Sequence, residues 1–154
     1  GYCWGGGEDG ILGNDSVESS QVPIPVAGEL TFGSINAGSA TTCGITTDGD
    51  AYCWGASDFG NLLGQGPDDR DRKLSPGLVA GEFDFKPDSV SVGLDHVCAI
   101  NTADEAVCWG RGRYGKLGIG HGDGAERDFL PNRIFIYIAV FDAFGGQPLE
   151  ADEE

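Results

Sequence analysis

The sequence has no methionine, only two histidines and nine basic residues among 154, and no long apolar run. Each scarcity excludes a class of protein. A partner phosphate backbone is neutralised by clustered Lys and Arg, and none cluster here. With 25 acidic residues the formal net charge is -16, so nucleic acid is not an expected partner and an anionic membrane surface is disfavoured. The acid excess reads as a solvated face. A membrane-spanning helix needs about 20 apolar residues. The longest candidate, Ile134 to Val140, is β-branched and aromatic and reads as a buried strand, so no membrane insertion is expected. No charged-then-apolar leader follows Gly1, and the missing initiator Met points to a processed or excised chain.

The same poverty limits catalysis. An enzyme needs a nucleophile with its base, a metal cage, or paired carboxylates in contrasting environments. His96 falls at a repeat position and reads as a hydrogen-bonded structural residue, while His121 lies in the loop Gly120-His121-Gly122-Asp123-Gly124. Carboxylates are many but scattered. Asp48-Gly49-Asp50 and Asp123-Gly124 raise calcium, but the helix-loop-helix spacing is absent and turn chemistry explains Asp-Gly better. The expectation is a non-enzyme with no cofactor and no metal.

What the chain does have is repetition and 27 glycines. Tyr2-Cys3-Trp4-Gly5 returns as Tyr52-Cys53-Trp54-Gly55 and as Val107-Cys108-Trp109-Gly110. Behind each comes Leu-Gly, ending at Gly13, Gly64 and Gly118, and then a Pro-x-x-Val/Ile step at Pro23/Val26, Pro76/Val79 and Pro131/Ile134. Runs such as Ser34-Ile35-Asn36-Ala37 and Ser89-Val90-Ser91-Val92 fit a two-residue period, and Gly, Asp and Pro clusters separate them. No segment carries a helical stripe. The expected fold is all-β, about three four-stranded antiparallel propeller blades forming an incomplete or open β-propeller. Counted from Trp-Gly, the units are 1–50 (beginning mid-blade), 51–105, a degenerate 106–146, and an acidic tail 147–154. The recurring tryptophans Trp4, Trp54 and Trp109 are expected in blade cores, with Gly13, Gly64 and Gly118 as frame positions.

Five cysteines are present. Cys43 and Cys53 are ten positions apart, and so are Cys98 and Cys108. A hairpin turning on Thr47-Asp48-Gly49 sets Cys43 opposite Cys53, with Gly49 at the left-handed third loop position. Thr102-Ala103-Asp104 does the same for the second pair, with Asp104 in that role. Directly opposed cysteines have the separation a disulfide requires. Buried free thiols are the alternative, and zinc would need four ligands converging from separate blades. Cys3 is left over, its partner expected ten positions upstream.

These landmarks resemble the regulator of chromosome condensation repeat family: Trp54-Gly55, Leu63-Gly64, Pro76 to Val79, Gly93 and His96-Val97-Cys98-Ala99-Ile100 match its successive steps. The resemblance covers residues 1 to about 146, and the Cys-Trp-Gly variant is similar to a disulfide-bearing bacterial branch. It implies a seven-bladed ring, of which three blades are a stretch of a longer propeller, part of an assembly, or an open arc able to self-associate through its edges. The leading functional expectation is a secreted or cell-surface scaffold for a protein partner, since paired cysteines suit an oxidising compartment. Binding is expected on loops that vary between units, around Gln65, Asp68, Asp69, Arg70 and Arg72 and around His121 and Asp123. Alternatives are guanine-nucleotide exchange on a small GTPase, which the resemblance implies for the founding member, and inhibition of a secreted hydrolase.

Overall fold

In the computed structural model, residues 1–57, 62–66, 71–119 and 127–133 are described, with backbone alone at 127–130 and 132. The described residues form ten strands: β1 (Tyr2–Gly5), β2 (Ser20–Pro25), β3 (Phe32–Ala37), β4 (Thr41–Thr46), β5 (Ala51–Gly55), β6 (Lys73–Leu78), β7 (Ser91–Val92), β8 (His96–Ile100), β9 (Ala106–Arg111) and β10 (Arg127–Arg133). Short 3₁₀ turns lie at Glu8–Gly10 and Arg113–Gly115. The strands form three antiparallel sheets in the orders β1-β2, β3-β4-β5-β6 and β7-β8-β9-β10. Two sheets are therefore whole blades and the first is a half-blade of two strands. The Ile134 to Val140 run lies outside the described residues.

Both central hairpins form as their sequences dictate. The pairing Cys43↔Cys53 sits in a ladder with Thr46 bonded to Asp50, and Cys98↔Cys108 has the same relation to Asn101 and Glu105. Gly49 (φ 95°) and Asp104 (φ 65°) take the left-handed loop position. A side-chain oxygen locks each turn: Thr46 Oγ1 accepts the Asp50 N–H at 3.1 Å, and Asn101 Oδ1 accepts the Glu105 N–H at 2.9 Å. Counting back from the bonded pair, each cysteine falls at a non-hydrogen-bonded position, where opposed residues approach most closely. The Cα atoms are 4.1 and 4.2 Å apart and both disulfides are formed. Four of the five cysteines are thus paired within the two complete blades, and Cys3 is free.

The Pro-x-x-Val landmark is each blade's outermost strand. Pro23 and Pro25 lie in β2, Pro76 in β6 and Pro131 in β10, each terminal in its sheet. Proline removes a ladder donor and is tolerated only at such an edge. Three residues on, Val26 and Val79 turn back into the core.

A single joint ties the other landmarks together. Trp54 and Trp109 are fully buried, and each indole reaches the Leu-Gly turn of the preceding unit. Trp54 Nε1–H donates to the Ile11 carbonyl at 2.9 Å, and Trp109 Nε1–H to the Leu62 carbonyl at 3.0 Å. The glycine of that turn lies under the ring: a Cβ on Gly13 would stand 2.5 Å from Trp54 Nε1, and one on Gly64 2.8 Å from Trp109 Nε1. The same glycines accept the N–H of Ala27 and Ala80, just past the Pro-x-x-Val step, at 2.8 Å each. Thr42 Oγ1 adds a second donor to Ile11 O at 3.0 Å. Phe32 leans on Trp54 and Phe85 on Trp109, with ring centres 5.7 and 6.1 Å apart. The core is continuous across the blades, running from Cys43, Ile45 and Cys53 through Leu63 and Val79 to Val97, Val107 and Trp109.

Trp4 departs from the expected core position. It is 61% exposed, because no Leu-Gly turn and no inner strand stand beside it among the described residues.

Two predictions follow from the joint and the bridges. Trp54→Phe keeps an aromatic ring but strands the Ile11 carbonyl and removes volume, and should cost about 2 kcal/mol in urea unfolding followed by circular dichroism. Trp4→Phe should change stability by less than about 0.5 kcal/mol; equal effects would show that the indole bond to the preceding turn contributes nothing. Separately, the double variant Cys98→Ser/Cys108→Ser opens a ring closed over a separation of 10 residues and should lower stability by about 3 kcal/mol on the chain-entropy account.

Candidate functional site

Three places combine exposure with specific chemistry: the loops between Leu-Gly and proline, the tips of the 3₁₀ turns, and the groove beside β1.

The loops occupy positions 14–22, 65–75 and 119–130. Gln65 is half-buried and turned inward. Its Nε2 donates to the Cys53 carbonyl at 3.0 Å, and its amide fills the space over Gly77. Arg72 stays at the surface, 3.7 Å from Asp9 of the first 3₁₀ turn, an exposed pair of small energetic worth. Asp68, Asp69, Arg70, His121 and Asp123 lie outside the described residues.

The two 3₁₀ turns are equivalent in place and backbone, with Asp9 (φ 59°) and Tyr114 (φ 61°) both left-handed at the tip. Their chemistry differs. The first presents Glu8 and Asp9, whereas the second presents Tyr114, 84% exposed, with the Arg113 guanidinium carbon 5.5 Å from its ring centre. An exposed Tyr beside a half-buried Arg is the composition of interface anchors. Sequence reading passed over them; the available signal was Arg113-Tyr114-Gly115 standing where the first unit has Glu8-Asp9-Gly10.

Behind the second turn lies a charged junction. Lys116 Nζ reaches both carboxylate oxygens of buried Asp95 at 2.7 Å, and His96 Nδ1 stands 3.4 Å from Oδ1. Burial alone would push the Asp95 carboxyl up. The Lys116 bonds and the His96 contact outweigh it and hold the group below the usual carboxylate range. The Asp95 carbonyl also accepts the Arg111 N–H at 2.7 Å, as the Ala40 carbonyl accepts the Ala56 N–H in the preceding blade. His96 thus stands where the β8–β9 ladder begins, its ring against the Asp95 carboxylate. Among the described residues no three His, Cys, Asp or Glu side chains converge on a point.

The groove of about 560 Å³ runs along the free edge of β1. Tyr2, Cys3 and Trp4 form one wall, Ile35 and Ala37 of β3 the other, and Glu8 and Asp9 one end. Burial pushes the Cys3 thiol up from its ordinary range, with the N-terminal ammonium pulling the other way.

Because the folded-state pKa of Asp95 is depressed, the unfolded chain binds more protons, and the stabilisation is complete above the usual carboxylate range. It is lost as pH falls below about 4. Asp95→Asn should cost about 1–3 kcal/mol at pH 7, and the gap from the unsubstituted protein should narrow as pH falls from about 5 to 3. Urea midpoints across that window measure it; a gap independent of pH would show that the charge contributes nothing.

The chain matches the Regulator of chromosome condensation (RCC1) repeat over residues 34–61 and 88–116, and in a second form of that repeat over 48–100. It is similar to the ultraviolet-B receptor UVR8 of Arabidopsis thaliana, 28% identical over 135 residues, covering 86% of this chain and 29% of the receptor. It is similar to the E3 ubiquitin-protein ligase HERC2 of Homo sapiens, 33% identical over 129 residues, covering 81% of this chain and 3% of the ligase. The chain therefore spans under a third of the length of these relatives. Among solved structures, Prp20p from Saccharomyces cerevisiae, studied with its binding to Gsp1p and histones, superposes with a TM-score of 0.73. Identity there is 24%, with 87% of this chain and 34% of Prp20p covered. Yeast RCC1 (Prp20) bound to Kap60 superposes with a TM-score of 0.66 at 22% identity, over 87% of this chain and 32% of that one. With its Trp-Gly, Leu-Gly and Pro-x-x-Val steps assembled into propeller blades, this chain belongs to the RCC1 repeat family.

Proposed function

We propose that this chain is a non-catalytic propeller module that binds a protein partner outside the reducing cytosol. The observation that carries the reading is the division of labour between frame and loops. Trp54, Trp109, Gly13 and Gly64 are absorbed into blade joints, and all four bridged cysteines into cross-strand disulfides. The side chains that differ between equivalent positions, Glu8 and Asp9 against Arg113 and Tyr114, stand at the surface. A rigid frame with variable tips suits recognition, since propeller frames do not themselves specify an activity. The family's range supports this, because a receptor, a ligase and a protein bound to Kap60 all carry the frame.

Placement outside the cytosol rests on the two cross-strand disulfides, which persist where thiols are not kept reduced. Guanine-nucleotide exchange is the second reading, favoured by the likeness to Prp20p, a protein studied for its binding to Gsp1p. Two bridges weigh against a cytosolic GTPase partner.

The test is capture of exported proteins on the full chain, compared with Tyr114→Ala and with a chain whose positions 67–72 are replaced by Gly-Ser. The expected result is at least a tenfold loss of one partner with one of the variants while near-ultraviolet circular dichroism stays unchanged; undiminished capture by both removes these surfaces from the reading. Alkylating native cells at harvest checks the compartment: protection of Cys43, Cys53, Cys98 and Cys108 supports export, whereas labelling of all four overturns it. Accelerated nucleotide release from a purified small GTPase would favour the second reading.

A further inference from the structure

The 3₁₀ turn of the third unit keeps the backbone of the first and reverses its charge. Trp4-Gly5-Gly6-Gly7-Glu8-Asp9-Gly10-Ile11-Leu12-Gly13 aligns without a gap on Trp109-Gly110-Arg111-Gly112-Arg113-Tyr114-Gly115-Lys116-Leu117-Gly118. The same two bonds close each turn. Gly10 N–H donates to the Gly7 carbonyl at 3.0 Å and Gly13 N–H to the Gly10 carbonyl at 2.9 Å; Gly115 and Gly118 do likewise to Gly112 and Gly115 at 3.1 and 3.0 Å. Yet Gly6, Glu8, Asp9 and Ile11 are replaced by Arg111, Arg113, Tyr114 and Lys116. Residues 6–17 hold three acidic residues and no Lys or Arg, whereas residues 111–122 hold three Lys or Arg and no acid. The turn itself does not call for the change.

The adjoining inner turn diverges as well. Gly38-Ser39-Ala40-Thr41 in the second blade is closed by Gly38 N–H on the Thr41 carbonyl, and Gly93-Leu94-Asp95-His96 in the third by Gly93 N–H on the His96 carbonyl, each at 2.8 Å. Leu94, 67% exposed, stands where the second blade has Ser39, and Asp95 where it has Ala40. The bonds from Lys116 Nζ to Asp95, 2.7 Å each, fasten this turn to the 3₁₀ turn.

We propose that this corner of the third blade binds an acidic segment of a protein partner, with carboxylates on Arg111 and Arg113 and an apolar side chain on Tyr114 and Leu94.

The inference rests on the reading that the tip at Tyr114 binds a protein, and it names the chemistry of what is bound. Lys116 is committed to Asp95, but among the described residues no carboxylate pairs with Arg111 or Arg113, and Arg113 Nε has no hydrogen-bond partner. A free guanidinium takes a carboxylate through two parallel bonds. Tyr114 adds an independent sign. Its φ of 61° is left-handed, a conformation that Asp9 tolerates and a bulky ring resists, so local folding does not favour an exposed tyrosine here. The net charge of -16 does not exclude an acidic occupant, because charges beyond about 8 Å are screened at physiological salt and the groups at the corner govern contact.

The test sets the full chain against a displayed library of random dodecapeptides. The control variant is Arg113→Glu/Tyr114→Asp, which installs the side chains that the first unit carries on the same backbone and so preserves the turn. Selected peptides are expected to be rich in Asp and Glu around an apolar residue. In fluorescence anisotropy a selected peptide should bind the variant at least tenfold more weakly, and its copy with Asn and Gln for Asp and Glu should lose as much on the unsubstituted chain. Tyr114→Gly relieves the left-handed backbone, so it should weaken the peptide at least threefold without lowering the urea midpoint; a residue retained for folding would do the reverse. Selection of neutral or basic peptides, or of none, overturns the proposal, as does undiminished binding to the variant. A dimer in sedimentation that the variant abolishes also overturns it, since the corner then belongs to a second copy. Capture of an exported protein through a segment without carboxylates sinks this inference and leaves the proposed function standing. Acidic peptides selected while no exported protein is captured have the opposite effect, so the two readings fail separately.

Discussion

The blades hold their places because an indole N–H must be satisfied inside a dry joint. A buried Trp that cannot donate carries a desolvation cost, and each blade's own strands have their carbonyls committed to ladders. The acceptor is found across the boundary, in the turn ending in Leu-Gly of the previous unit: Ile11 for Trp54 and Leu62 for Trp109. Several requirements converge there. The turn must come close, so its last residue has no side chain. The leucine before it is buried, and the glycine carbonyl accepts from the residue after the inward valine. Three motifs that are far apart in sequence are components of one contact.

That explains which parts of the structure could be read in advance. Spacing fixed the hairpins, because three-residue loops with Gly49 or Asp104 at the last position allow one register, and that register opposes the cysteines. The all-β propeller architecture followed from the repeat. The joint itself was not legible. A repeat shows that Trp and Leu-Gly recur, but not that they meet across a boundary, since contact between units is invisible to a period. For the same reason Trp4 was expected in a core: position within a repeat predicts burial only when the neighbouring unit is present to provide it. Gln65 illustrates a different limit. A polar residue in a variable loop reads as a surface contact, and only coordinates reveal a gap over Gly77 that its amide fills.

The functional surfaces are legible in the opposite sense. They appear where units that share a backbone do not share side chains. The tips at Asp9 and Tyr114 have nearly the same φ, so their differing chemistry is not demanded by the turn. The junction of Asp95, His96 and Lys116 marks the other extreme, a charged cluster whose members point at one another and brace the second 3₁₀ turn. Sidedness, inward or outward, separates the two kinds of charge better than residue type does.

The prolines on β2, β6 and β10 have a consequence for how the molecule behaves in a crowd. An antiparallel sheet recruits further strands wherever its last member offers a regular row of donors. Among the described residues the outer strand of each sheet is interrupted in this way, so lateral stacking into cross-β ribbons is blocked at β2, β6 and β10. Growth by strand addition is left to the opposite ends of the sheets, at β1, β3 and β7.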